Sequence, residues 1–180
     1  LMKNAKCPAT VKKNLKIIRN SGQRLNLLVN DILDAASSKR STLVVRHEEV
    51  DVSKAMEDVA AIVSPLLKRG VKLVNDIGGG VPKVLGDFGR VTQILMNLVS
   101  NAVKFTAKGT ITISAKVSTD GEMVEINVSD TGIGMPEDKL ERVFGAFVQV
   151  DTETTREYGG TGLGLALVRS LVIAHNGRVS

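Results

Sequence analysis

The chain has 180 residues, of which 43% are hydrophobic and 24% charged, a balance typical of a folded domain and not of a disordered tail. Its net charge of +5 comes from residues 1–50, which hold ten Lys and Arg against four Asp and Glu, whereas residues 51–180 hold 14 against 15. Because only 3% of the residues are aromatic and one is a cysteine, the composition predicts no nucleic-acid partner, no internal disulfide and no cysteine-based metal site.

Residues 9–38 are predicted to form one long helix. Its apolar and small residues recur at alternating steps of four and three, a heptad seam held for four repeats. They are Val11, Leu15, Ile18, Gly22, Leu25, Val29, Ile32 and Ala36. Such a seam favours a helix that packs lengthwise on another one, in a hairpin or a dimer, with an ordinary amphipathic surface helix as the alternative.

A hinge and an alternation of strands and helices follow this helix. Period-two runs predict the strands, and Ser or Asp ahead of periodic apolar residues predicts the helix starts. In chain order we first predict a hinge over 37–42, a strand over 42–50, a helix capped by Ser53 and ending near Arg69, and a strand over 71–76. A helix capped by Asp87 and ending near Phe105 follows, and then a hairpin of 111–117 and 124–128 that turns at Asp120-Gly121. The remaining predicted elements are a loop over 130–136, a helix over 137–144, a polar stretch over 148–160, a helix over 161–175 and the start of a strand at 177–180. The pattern indicates an α+β fold with helices over one mixed sheet.

Polar side chains of the helix that ends near Phe105 fall on one line beside its apolar stripe. At about 100° per residue they lie within about 40° either side of that line. They are Arg90, Gln93, Asn97, Asn101 and Lys104. An Asn oxygen is a neutral ligand for Mg²⁺ and a Lys ammonium binds phosphate, so the stripe predicts a site for a metal-bound phosphate group. A solvated helix face is the alternative that this helix alone leaves open.

Two glycine-containing loops are further candidates. Asp130 ends a predicted strand and can accept a hydrogen bond from an exocyclic amine, while Gly132 and Gly134 let the backbone approach a flat ring. In residues 159–165 a run of glycines opens a helix, and such a loop presents backbone N–H groups to phosphate. It lacks the features of a P-loop and of a Rossmann fingerprint. Taken alone, each loop is more often an ordinary turn.

Together, and in this order, the motifs resemble those of sensor histidine kinases. Residues 97–106 resemble the N box, residues 130–134 the G1 box, residues 144–147 the F box and residues 160–165 the G2 box. Residues 147–161 resemble the ATP lid of hybrid-type kinases. Residues 29–34 resemble part of the second helix of the dimerisation and phosphoacceptor hairpin. The resemblance implies a Bergerat-type α/β sandwich, the fold shared with gyrase B, Hsp90 and MutL, preceded by a long dimerisation helix. It implies a hairpin helix and hinge over residues 1–40 and an ATP-binding catalytic domain over 41–180.

The resemblance also implies which residues bind the phosphates and Mg²⁺ of ATP. Asn101 is the implied Mg²⁺ ligand, Asn97 supports the metal and phosphate end, and Lys104 meets the phosphates. Arg156 is implied to approach the γ-phosphate when the lid closes. The phosphate contacts at the end of the lid fall on Gly160, Thr161, Gly162, Leu163 and Gly164.

For the base, the resemblance implies that Asp130 binds the adenine amino group, with Gly132 and Gly134 on either side. Phe144 and Phe147 are implied to anchor the start of the lid, and plain core packing is the alternative for both.

The chain departs from the family pattern in three places. The family's acceptor histidine lies in an H box on the first hairpin helix, whereas this chain has only His47, expected on a solvated strand edge, and His175, expected to cap a helix. We therefore expect the first hairpin helix to be missing, and the family's final strand hairpin to lie beyond Ser180. Gly145-Ala146 replaces the Glu-Pro of the usual F box, which is expected to loosen the start of the lid.

The implied function is that of a protein-histidine kinase. The γ-phosphate of ATP passes to a histidine on the missing helix and then to the aspartate of a receiver domain, in cis or in trans. The expected assembly is a homodimer through the N-terminal helix. It is expected in the cytoplasm, with any membrane attachment through missing segments, since no apolar run approaches the ~18 residues of a membrane span.

Two other functions stay open. ATPases of this fold place a Glu one helical turn before the metal-binding Asn to activate water, and Asn97 at that position cannot act as a base. Phosphoryl transfer is therefore favoured over hydrolysis. A nucleotide-binding or degenerate pseudokinase module that serves as a signalling scaffold is the second alternative, and the altered F box favours it.

Overall fold

The computed structural model describes residues 44–140, 142–145, 148 and 162–180, together with Val11 and Leu15. Apart from those two helical residues, the predicted helix over 9–38 and the whole predicted hinge over 37–42 lie outside the described residues, and the division at residue 40 stays a prediction. Among the described helices, none has both the length and the apolar character that crossing a membrane requires.

Five strands and four α-helices make up the described part of the chain. They are β1 (Glu48–Val50), α1 (Val52–Val63), β2 (Val71–Ile77), β3 (Val84–Gly86), α2 (Phe88–Phe105), β4 (Gly109–Val117), β5 (Val124–Asp130), α3 (Glu137–Leu140) and α4 (Gly164–Ala174), with a 3₁₀ turn at Ser64–Leu66. The predicted second strand, the helix capped by Asp87 and the hairpin are confirmed to within a few residues at each end.

The strands form two sheets. β2 runs parallel to β4, and β4 pairs antiparallel with β5, so this three-stranded sheet is mixed. β1 and β3 form a separate antiparallel pair with Val50 opposite Val84. The predicted α+β class with a mixed sheet is confirmed, but the prediction of a single sheet is wrong. It overlooked β3, whose three residues follow Pro82 and are too few to show an alternating pattern.

The core lies between the three-stranded sheet and the helices. Ile111 and Ile113 of β4 are fully buried, as are Leu95 of α2 and Met56 of α1. The two isoleucines are two residues apart and so point to the same face of the sheet. α2 contacts α1, α4 and the sheet. Because α2 has neighbours on several sides, the polar residues along it hold fixed positions relative to β5.

Helix α1 both begins and ends earlier than predicted. Its N-cap is Asp51, whose Oδ1 accepts a hydrogen bond from the N–H of Lys54 at 3.1 Å, so the prediction of Ser53 as the cap is wrong. The helix ends at Val63 and not near Arg69, because Pro65 has no N–H with which to continue it.

Three other predicted boundaries are wrong. The first strand is limited to Glu48–Val50 because its partner β3 offers only three residues for pairing. In place of a helix over 137–144, α3 is described from Glu137 to Leu140 and residues 142–145 form a turn. Residues 177–180 form no strand, and the last helix is described over Gly164–Ala174.

Asp87 caps α2 as predicted and also joins it to two other parts of the fold. Its Oδ1 accepts a hydrogen bond from the N–H of Arg90 at 3.1 Å, and its Oδ2 accepts one from the N–H of Arg46 at 3.3 Å. Its own N–H donates to Nε2 of His175, at the end of α4, at 3.1 Å. Burial opposes the charge on Asp87, but the donated N–H groups outweigh it and hold the pKa of the carboxyl below its ordinary value.

Asp87→Ala should lower the free energy of unfolding by about 1 kcal/mol at neutral pH, since it removes the N-cap of α2. The folded-state pKa lies below the unfolded-state value of about 3.9, so the stabilisation from the charge is present above that value and is lost as the pH falls through the folded-state pKa. The control is Asp87→Asn, which keeps a capping side chain without the charge. Urea unfolding at about pH 7 and about pH 3 should show the native chain's advantage over Asp87→Asn shrinking at low pH. An advantage that is the same at both pH values would contradict this role.

Candidate functional site

A cavity of about 250 Å³ opens between α2, the end of β5 and the beginning of α4. It is lined by Leu98, Asn101, Ala102 and Phe105 of α2, by Val128 and Asp130 of β5, by Gly134 and Met135 of the following loop and by Leu165 of α4. The lining is mostly apolar and contains one carboxylate and one carboxamide. That composition suits a flat organic ligand whose orientation is set by a few polar groups.

Asp130 is the last residue of β5 and presents its carboxylate at the cavity. Oδ1 accepts hydrogen bonds from the N–H of Gly132 at 2.7 Å and from Oγ1 of Thr106 at 3.2 Å. Within the described residues, Oδ2 accepts no hydrogen bond. The carboxylate is therefore held through one oxygen and offers the other to a donor in the cavity.

The loop after β5 lies directly against the end of α2. A Cβ atom at Gly132 would lie 2.6 Å from the carbonyl oxygen of Phe105 and 2.6 Å from Oδ1 of Asp130. The next residue, Ile133, donates its N–H to the same Phe105 carbonyl at 3.4 Å. Only glycine fits at position 132, because any side chain would push the loop away from α2 and open the cavity.

The end of the G2 box lies against the N-box helix. A Cβ atom at Gly164 would lie 2.8 Å from Oδ1 of Asn97, so the first residue of α4 approaches α2 more closely than a side chain allows. The Asn97 amide is oriented by Nδ2, which donates to the carbonyl of Gln93 at 3.1 Å. The fold thus brings together two segments that were singled out separately in the sequence.

The predicted polar stripe on α2 divides into two parts. Asn101 lines the cavity, and Asn97 lies one turn away against Gly164. Towards the N-terminus of the helix, Nη1 of Arg90 donates to Oε1 of Gln93 at 2.9 Å, and neither residue lines the cavity.

Lys104 lies in the last turn of α2. Its ammonium is 4.7 Å from the centre of the Phe105 ring, and its carbonyl oxygen accepts a hydrogen bond from Nζ of Lys68 at 3.0 Å. The Lys68 ammonium thus lies at the C-terminal end of α2, where a cation interacts favourably with the helix dipole.

Several predicted site residues lie outside the described residues. They are Phe147, Arg156, Gly160 and Thr161. Gly162 is among the described residues. Leu163 is the N-cap of α4, and because its side chain is buried, any contact that it makes with a ligand would come from its backbone.

Gly145 of the altered F box lies in a tight turn. Gly145 donates its N–H to the carbonyl of Arg142 at 2.9 Å, and a Cβ atom at this position would lie 2.8 Å from Cγ2 of Val148. A larger residue at position 145 therefore requires the Val148 side chain to shift. Phe144, just before it, is half-buried.

Some residues of the cavity lining carry no recognisable signal in the sequence. Val128 and Met135 lie outside the predicted boxes, because alternation and helical periodicity assign apolar residues to a core face without showing where that face borders a cavity. Other lining residues lie within the predicted N and G2 boxes but were not named as ligand contacts: Leu98, Ala102, Phe105 and Leu165. The contact of Thr106 with Asp130 was also missed. The signal available for Thr106 was its place at the end of the N box.

The chain matches the family model of histidine kinase-, DNA gyrase B-, and HSP90-like ATPases over residues 86–180. It is 38% identical over 175 residues to the autoinducer 2 sensor kinase/phosphatase LuxQ of Vibrio parahaemolyticus, a match that covers 93% of this chain and 20% of LuxQ.

Two solved structures are similar to the chain. Full-length ShkA in complex with AMPPNP has a TM-score of 0.74 and 36% identity, and the match covers 96% of this chain and 36% of ShkA. Histidine kinase ThkA in complex with the response regulator protein TrrA has a TM-score of 0.64 and 25% identity, covering 97% of this chain and 48% of ThkA.

The chain spans about a fifth of the length of LuxQ and less than half of each of the two solved chains. The family match begins at residue 86, directly before the Asp87 cap, and so includes α2, β5, α4 and all of the cavity lining. The chain therefore belongs to the family of histidine kinase-, DNA gyrase B- and HSP90-like ATPases, and carries the ATP-binding catalytic domain of the sensor histidine kinase type.

Proposed function

We propose that this domain binds Mg²⁺-ATP in the cavity beside α2 and transfers the γ-phosphate to a histidine on a partner helix, from which it passes to the aspartate of a receiver domain. The observation that carries the proposal is the placement of Asp130 and Asn101 in one apolar cavity, with the end of the G2 box beside Asn97. These three features suit the purine ring, the metal ion and the phosphate chain of Mg²⁺-ATP.

At the base end, Oδ2 of Asp130 accepts a hydrogen bond from the 6-amino group of adenine. Guanine has a carbonyl oxygen at that position, which a carboxylate repels. The apolar side chains of Leu98, Val128 and Met135 cover the faces and edge of the ring.

At the phosphate end, the donor set fits Mg²⁺. No group of three or more His, Cys, Asp or Glu side chains in the described part of the chain could hold a metal ion, so most ligands must come from phosphates and water. Mg²⁺ prefers that arrangement, with the Asn101 amide oxygen as a protein ligand. Asn97, Lys104 and Arg156 contact the phosphates, and the N–H groups from Gly160 to Gly164 meet them at the start of α4.

Neither histidine of the chain suits the role of acceptor. Because the Asp87 N–H is a donor, Nε2 of His175 must be the acceptor in that hydrogen bond. The proton of the neutral ring is then on Nδ1, which donates it to the carbonyl oxygen of Leu171 at 2.7 Å. Both ring nitrogens of His175 are thus used by the fold. His47 is exposed and lies just before β1. The acceptor histidine therefore belongs to another helix.

Transfer to a histidine is favoured over hydrolysis by the residue at position 97. An amide cannot take a proton from water, whereas a neutral imidazole nitrogen attacks the γ-phosphorus without a base, and ADP leaves. The second transfer, to a receiver aspartate, is supported by the similarity to ThkA, a histidine kinase solved with a response regulator. Dimerisation through residues 9–38 is part of the same proposal.

Asn101→Ala should remove the Mg²⁺-dependent part of ATP affinity, a loss on the order of tenfold, because it removes the protein ligand to the ion. Affinity in EDTA should change little. Isothermal calorimetry with and without Mg²⁺ measures both, and Asn127→Ala, an exposed amide on β5, is the matched control. An Asn101→Ala protein that keeps the full Mg²⁺ effect would contradict the assignment.

Asp130→Asn should reduce the preference for ATP over GTP on the order of tenfold, because an amide is a weaker and less selective partner for the amino group than a carboxylate. Competition between the two nucleotides gives the ratio directly. Asp76→Asn, an exposed carboxylate on β2, should leave the ratio unchanged. If the ratio is the same in Asp130→Asn as in the native chain, Asp130 does not select the base.

Joined to a histidine-bearing hairpin helix at its N-terminus, the chain should incorporate acid-labile phosphate from γ-labelled ATP. The 180-residue chain by itself should incorporate none, since His175 is occupied and His47 lies at a strand edge. ATP binding without any acid-labile phosphate in the joined protein would reject the kinase proposal in favour of a nucleotide-binding scaffold, the function that the altered F box favours.

A further inference from the structure

We infer that Thr106 is a positioning residue for base recognition: its hydroxyl fixes the Asp130 carboxylate so that one oxygen faces the cavity. The inference rests on the proposed function, since it assigns to Thr106 a part in the discrimination that Asp130 carries out. Among the residues that the structure describes, Thr106 is the one buried polar side chain, with no exposed surface.

A buried hydroxyl requires a hydrogen-bond partner, and the partner of Thr106 is a carboxylate whose residue is exposed at the cavity. Oγ1 of Thr106 donates to Oδ1 of Asp130 at 3.2 Å. The backbone N–H of Thr106 donates to the carbonyl of Ala102 at 2.9 Å and closes α2, so the hydroxyl is anchored to the end of the helix. A hydrogen bond to an ionised acceptor is stronger than one between neutral groups.

The two donors to Oδ1 come from different parts of the fold. Gly132 belongs to the loop after β5, and Thr106 to the end of α2. One donor alone would leave the carboxylate free to turn about the Cβ–Cγ bond, which has a broad torsional preference. Two donors from fixed elements hold Oδ1 in place and direct Oδ2 to the cavity.

A valine at position 106 has the shape of threonine without the donor. We expect Thr106→Val to weaken ATP binding on the order of tenfold, because the carboxylate then loses part of its orientation before the ligand arrives. Purine riboside triphosphate lacks the 6-amino group and so makes no hydrogen bond with Asp130. Its affinity should therefore change less than about twofold. Thr106→Ser, which restores the hydroxyl, should bind both nucleotides as the native chain does.

The experiment is calorimetric titration of the 180-residue chain and its variants with ATP and with purine riboside triphosphate. Thr92→Val is the matched control: its hydroxyl donates to the carbonyl of Phe88 at 2.8 Å on the same helix, away from the cavity lining. If Thr106→Val is poorly folded, Thr106→Ala gives the same comparison without an added methyl group at the hydroxyl position. Loss of selectivity in the variant without a hydroxyl, restored by serine, supports the inference.

Equal losses for both nucleotides would show that Thr106 only supports the fold, and an unchanged ratio would likewise overturn the inference. These results are distinct from failure of the proposed function. If the native chain itself binds ATP no better than purine riboside triphosphate, Asp130 does not recognise the amino group and the proposal for the site fails. If the native chain discriminates and Thr106→Val discriminates equally, only the role of Thr106 fails.

Discussion

The close approach of the Gly132 backbone to the last carbonyl of α2 is the contact on which the site depends. β5 ends at Asp130, and the loop after it is attached to α2 at Phe105 by the Ile133 N–H. A side chain at position 132 would occupy the same space as the Phe105 carbonyl. Because the loop and the helix touch here, a carboxylate at the end of a strand and an amide on a helix line the same small cavity.

The position of α4, which contributes Leu165 to the cavity, depends on how this helix is attached to α2. At its start, Gly164 lies against Asn97; at its end, His175 accepts a hydrogen bond from Asp87, the N-cap of α2. Both attachments involve α2, so the helix that carries the N box also fixes the direction of the helix that follows the G2 box. Capping, core packing and site geometry are therefore coupled, and a change at the N-cap of α2 acts on the same helix that lines the cavity.

Much of the fold could be predicted because its signals are local. Asp87 precedes a long apolar stripe, and Asp120-Gly121 separates two alternating runs, so α2 and the hairpin followed from a few residues each. The start of α1 did not, since Asp51 and Ser53 are both good capping residues two positions apart and only the helix geometry distinguishes them. β3 was missed because a three-residue strand is defined by its partner and not by its own pattern.

The site, like the fold, has some residues that local sequence signals identify and others that only tertiary contacts identify. Asn101, Asp130 and Gly134 were singled out by residue type and motif, and all three line the cavity. Val128 and Met135, which lie outside the predicted boxes, join them through tertiary contacts that no local pattern reports. Thr106 is the clearest case: a threonine at the end of a helix is an ordinary residue until the end of β5 is placed beside it.

Calorimetric titration of the 180-residue chain with ATP and with GTP, each in Mg²⁺ and in EDTA, tests the central claim most directly. The account predicts that ATP binds more tightly than GTP, because Asp130 is proposed to select the adenine amino group, and more tightly with Mg²⁺ than without it, because Asn101 is proposed to bind the ion. A folded chain that binds the two nucleotides equally, or that binds neither, would contradict it.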